Sequence, residues 1–171
     1  MNLRRFYLKF LSDRSLLCRL LLLTGWILGI ILGYILSRKN PADFSLMRML
    51  IQSHMSIVGG LVVAFLPLVA SAVIVWFFHK SYLIALAFVK GFCFSFTACA
   101  VVMAFGDIGY LARWFYLFSD SILAFVYLNL WLECFSVDFV ADREFLKATL
   151  FCSICFSIDI FMISPCLSVL L

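Results

Sequence analysis

The chain has 171 residues, of which 66% are hydrophobic and 13% charged, and it carries a net charge of +4. A water-soluble domain of this size is nearer half apolar and a quarter charged, so the excess cannot be hidden in an aqueous core and the bilayer must be the solvent. The charges fall between apolar runs rather than on one basic face, which excludes a nucleic-acid partner.

Residues 1–19 come first. Leu3, Phe6, Tyr7, Phe10, Leu11 and Leu17 recur at helical spacing, with Arg4, Arg5, Lys9 and Asp13 on the other face. That pattern predicts an amphipathic helix lying on an anionic membrane surface. Residues 20–171 then read as one transmembrane domain of five apolar segments: Leu20–Leu36, Met55–Phe78, Ser81–Phe105, about Trp114–Leu132 and about Ala148–Leu171. Each approaches the length needed to span the hydrocarbon core. The expected fold class is therefore all-α: a polytopic membrane bundle of five transmembrane helices with an N-terminal interfacial helix. The first run ends in Ser37-Arg38-Lys39-Asn40-Pro41 with no small-residue cleavage site, and reads as a retained span rather than a signal peptide.

Orientation follows from the basic residues. With the N-terminus inside, eight of them lie on the inner side (Arg4, Arg5, Lys9, Arg14, Arg19, Lys80, Arg143 and Lys147) and four on the outer (Arg38, Lys39, Arg48 and Arg113). Five spans then place the C-terminus outside. His79-Lys80 leaves room only for a tight hairpin between the second and third spans.

Several features sit within the spans. Gly25, Gly29 and Gly33 recur every four residues and form a helix-packing face, where another backbone can approach closely, either within the bundle or from another protein's span. Pro67 and Gly59-Gly60 predict a loosened second span. Lys90 lies inside the third span, where a cation costs roughly 2.5–3.5 kcal/mol on insertion scales unless it snorkels or is paired. At 1.5 Å per residue, Lys90 lies roughly 13 Å from the inner end of its span, and Asp120 and Asp159 about 18 Å from theirs. The three form a candidate intramembrane polar cluster, either a clamp for the bundle or a path for protons or ions.

The seven cysteines lie mostly in apolar runs, where Cys acts as a small hydrophobe. Cys152-x-x-Cys155 begins the last span on the inner, reducing side, so it reads as two small core residues rather than a redox pair. No metal-ligand spacing, nucleotide-binding glycine loop or nucleophile elbow is present. No catalytic residue, metal or cofactor is expected, and the chain does not read as an enzyme.

The block Phe88-x-Lys90-Gly91, followed by Phe96-Thr97 and by Gly106-x-x-Gly109, resembles the stage II sporulation protein M family of bacterial membrane proteins. The resemblance is closest over residues 81–125. Where the family reads Pro-Gln-Asn, this chain reads Ser119-Asp120-Ser121, and its first outer loop is short. The resemblance implies a five-span scaffold of the bacterial cell membrane, N-terminus cytoplasmic. Its implied role is in engulfment during sporulation, holding a peptidoglycan amidase and a lytic transglycosylase at the septal membrane. The alternative from the residues themselves is a small permease or transporter subunit built around Lys90, Asp120 and Asp159.

Overall fold

A computed structural model describes residues 14–39, 57–136, 139–158 and 160–161, with the backbone alone described over most of 100–119. The chain is all-helical there: α1 (Arg14–Lys39), α2 (Ile57–Phe77), α3 (Tyr82–Cys134) and α4 (Ala141–Ile158). The stretches Ser15–Lys39, Ile57–Phe77 and Tyr82–Cys99 are long and apolar enough to cross a membrane. The proposed interfacial helix falls almost wholly on residues 1–13, outside the described residues. Residues 14–19 continue straight into α1, which is 26 residues long and so exceeds the 17-residue apolar run read from the sequence. Arginine is a good helix former, so Arg14 and Arg19 let the helix begin before the apolar run.

The 53 helical residues of α3 would be about 80 Å long if straight. They are not straight. The Lys90 ammonium lies 2.5 Å from the Asp120 carboxylate, although 30 positions separate them. The Lys80 ammonium, just before α3, donates to the carbonyl of Cys134 at its far end, 2.8 Å away. The midpoints of these two pairs are positions 105 and 107, so the path reverses around Gly106, within the Gly106-Asp107-Ile108-Gly109 segment. The third apolar segment ends just before it, at Phe105, and the fourth opens just after it, near Trp114. The backbone instead stays helical through the segment, and the small residues let its axis change direction. We call the two halves the outgoing and returning arms.

Contacts between elements fix their directions. Gly25 faces Ile84 and Phe88, Gly29 faces Phe88 and Phe92, and Gly33 faces Phe92 and Phe96, so α1 runs parallel to the outgoing arm. Ala64 and Ser71 of α2 meet Tyr127 and Trp131 of the returning arm in the same order, again a parallel pair. In α4, Phe145 packs on Trp76 and Phe156 on Phe65, which makes α4 antiparallel to α2. Successive segments therefore alternate in direction. Short links suffice: α2 and α3 are joined by a turn at Phe78–Ser81, closed by the amide of Tyr82 donating to the His79 carbonyl.

The core joins all four helices through Leu22, Trp26, Leu68, Leu83, Tyr127, Trp131 and Cys152. The outside is also apolar: Val58, Phe77, Phe125 and Leu146 are each more than 60% exposed. Such a surface is stable against hydrocarbon, not water.

The glycine face is occupied by the chain's own outgoing arm. A Cβ on Gly29 would overlap the Phe88 carbonyl and stand 2.9 Å from the Phe92 nitrogen, both backbone atoms that cannot yield. Gly91 is its counterpart: a Cβ there would come within 2.5 Å of the Trp26 carbonyl. A Cβ on Gly60, by contrast, would meet only side-chain ends, the edge of the Phe156 ring at 3.2 Å and the Ile160 methyl at 3.5 Å. Gly29→Ala should thus destabilise the folded protein in detergent by the upper end of the roughly 1–3 kcal/mol typical of overpacking, and Gly60→Ala by clearly less. Thermal melting of the two purified variants measures the difference, and equal melting temperatures would contradict the close packing of α1 on α3.

Candidate functional site

The returning arm carries a stripe of residues at helical spacing that faces inward: Asp120, Leu123, Ala124, Tyr127, Leu130, Trp131 and Cys134, all buried. An apolar medium supplies no hydrogen bonds, so each polar group on this stripe must find a partner inside the protein.

At one end stands the ion pair. Lys90 and Asp120 side chains are 11% and 4% exposed, and their separation of 2.5 Å makes a short charge-assisted hydrogen bond. The outgoing arm supplies the cation and the returning arm the anion. Gly91, next to Lys90, lets α1 come close over the same turn, which helps to shut the pair away from lipid. Of the three residues proposed as a cluster, the structure brings together Lys90 and Asp120, while Asp159 lies outside the described residues.

Two and three turns along the stripe come two hydrogen bonds to α2. The Tyr127 hydroxyl donates to the Ala64 carbonyl, next to the stretch where Pro67, having no N–H, leaves a gap in the helical ladder. Trp131 donates from Nε1 to the Ser71 hydroxyl at 2.7 Å. Ser71 in turn donates to the Pro67 carbonyl at 2.6 Å. Cys152 of α4 reaches the Tyr127 hydroxyl from the other side, Sγ to oxygen 3.6 Å. The Tyr127 ring stacks on Trp131, centroids 5.8 Å apart, and Trp131 meets Trp26 of α1 at 6.3 Å. The stripe ends at Cys134, whose carbonyl receives Lys80. That lysine also sits 4.7 Å from the centre of the Phe139 ring, and it caps carbonyls that the helix end leaves without donors.

Sequence reasoning did not find Ser71, Tyr127 or Trp131. Tyr and Trp count as apolar in any span, and their polar tips register only once a partner is known. The available signal was the spacing of Tyr127 and Trp131 from Asp120, together with a serine four residues after Pro67. Phe88, Phe96 and Thr97, of the family-like block, fall on the outgoing arm. Phe88 and Phe96 back onto Gly25, Gly29 and Gly33. Thr97 is partly buried, and the backbone at Gly106 and Gly109 is helical.

Cys152 and Cys155 are both buried, and neither is in a disulfide. Among the described residues, no group of three or more His, Cys, Asp or Glu side chains stands together where it could hold a metal. The arrangement can hold helices in register, and it can keep one charge pair dry. Comparison with protein-family models, with curated proteins and with solved structures finds no match.

Breaking the ion pair from one side strands a buried charge. Lys90→Met or Asp120→Leu alone should cost about 3–5 kcal/mol, and the double variant should recover most of it. Tyr127→Phe removes the interhelical hydrogen bond to Ala64 and the weaker one from Cys152, and should cost about 1 kcal/mol. Denaturation midpoints of the four variants in one detergent give the ranking. A double variant as unstable as the sum of its singles would mean that the two side chains do not act on each other.

Proposed function

We propose that the chain is an integral membrane scaffold with five spans, its N-terminus inside the bacterial cell and its C-terminus outside. Its proposed work is to hold partner enzymes of the cell wall at the membrane, as the resemblance to the stage II sporulation protein M family suggests: a peptidoglycan amidase and a lytic transglycosylase at a septum. The alternating helix directions support the five-span count, with the two arms of α3 as the third and fourth spans and α4 opening the fifth.

The observation that carries a holding role over a transporting one is the closure of the Lys90–Asp120 pair. A conducted proton or ion needs a path to and from the charged groups. Here each charge is the other's partner, Asp120 is buried and Lys90 nearly so, with 11% of its side chain exposed. The polar stripe beyond it is satisfied bond by bond and crosslinks α2, α3 and α4. This is the chemistry of a rigid support.

Three measurements test the reading. Reporter fusions at Lys80 and at the C-terminus should show opposite sides of the membrane, and the same side for both would remove a span. Affinity purification of the full chain from mild detergent should recover cell-wall hydrolases. The purified protein in liposomes should pass neither protons nor solutes. A flux that Asp120→Asn abolishes would replace the scaffold with a permease.

A further inference from the structure

The returning arm of α3 and the start of α4 do not close completely. Between them runs a groove of about 290 Å³. Its lining changes character along its length. Ile122, Phe125 and Phe151 line one end, and Phe125 and Phe151 are 68% and 55% exposed. Glu133, Glu144 and Lys147 line the other. The polar end lies at the level of Lys80 and Cys134, where both helices leave the apolar layer.

We infer that this groove binds one phospholipid of the adjacent leaflet, and that it selects a primary-ammonium, zwitterionic head group: a phosphatidylethanolamine. The apolar end matches an acyl chain. The charges at the polar end choose the head group. Lys147 holds Glu144 at 2.8 Å, and Arg143 approaches the same carboxylate at 3.8 Å. That internal pairing leaves the Lys147 ammonium two further donors for a phosphate. Glu133 forms no ion pair among the described residues, and its carboxylate is an acceptor placed across the groove from that phosphate position. A primary ammonium can donate to it, whereas a trimethylated choline cannot. A glycerol head group leaves a net negative lipid beside Glu133 and Glu144, which repels it.

The full chain is reconstituted in nanodiscs of equal phosphatidylethanolamine, phosphatidylcholine and phosphatidylglycerol with identical acyl chains. After mild extraction, the retained lipid is weighed by native mass spectrometry. Phosphatidylethanolamine should be retained about tenfold over either rival, the size of one charge-assisted hydrogen bond. Glu133→Gln, at an exposed site, keeps an acceptor but loses its charge, and should cut the preference over phosphatidylcholine severalfold with no change in melting temperature. Phe151→Ala should lower retention of all three lipids together. Equal retention of the three by the unaltered protein, or an unchanged preference in Glu133→Gln, overturns the assignment. So does a dimer that shields Phe125 and Phe151 and persists when phosphatidylethanolamine is omitted, because the occupant would then be a second copy of the chain.

Discussion

A charge inside hydrocarbon has few stable solutions, and the bond between Lys90 and Asp120 is the one this chain uses. The two residues are 30 positions apart on what is otherwise continuous helical backbone. Their contact forces α3 to fold back, and the fold-back decides the rest. It places the returning arm against α2, where Tyr127 and Trp131 find their acceptors. It presents the outgoing arm to the glycine face of α1. It also brings Cys134 to Lys80, so the open end of the hairpin is fastened by a second lysine.

The two lysines act differently because their surroundings differ. Lys80 stands at the open end of the hairpin, outside the apolar stretch Tyr82–Cys99, where a carbonyl and an aromatic face keep its ammonium in place. Lys90 is nearly buried among helices, where only a full counter-charge will do. Dispersion then supplies what the polar bonds cannot. Helices in lipid gain little from expelling water, so they associate through close contact, and Gly25, Gly29, Gly33 and Gly91 bring the α1 and α3 backbones nearly as close as they can come. Each glycine is opposed by backbone or by a Phe side chain of the same chain. The stripe therefore works inside the bundle, and any partner protein must be met elsewhere, on the apolar outer faces or the short loops.

Much of this was legible in the sequence, and the limits of legibility have physical causes. Apolar length identified the three stretches that are long and apolar enough to span, Ser15–Lys39, Ile57–Phe77 and Tyr82–Cys99, because the bilayer leaves helices little choice of form. Depth counting from the span ends put Lys90 and Asp120 near one level, since helical rise is constant. Depth carries no information on azimuth, so it could not say which carboxylate the lysine would take. The ends of α1 and α4 were misjudged for a related reason: hydropathy records where lipid begins, while helical hydrogen bonding continues past it, and α4 starts at Ala141 among Asp142, Arg143 and Glu144. The Gly106–Gly109 segment fell between two apolar segments, yet a gap in the apolar pattern does not require the helix to stop. Tyr127, Trp131 and Ser71 stayed hidden because hydropathy scores a whole side chain and their work is done by one atom each.

The central claim is that α3 is a hairpin closed by its intramembrane ion pair. Spin labels carried by non-canonical amino acids at Tyr82 and Leu132 would leave all seven cysteines untouched. Pulsed dipolar spectroscopy then reads their separation in lipid. A hairpin predicts neighbouring backbones, with helix axes about 8–10 Å apart, a distance that should spread in Lys90→Met. A single straight helix would hold the two labels about 75 Å apart, and a separation approaching that value would contradict the account.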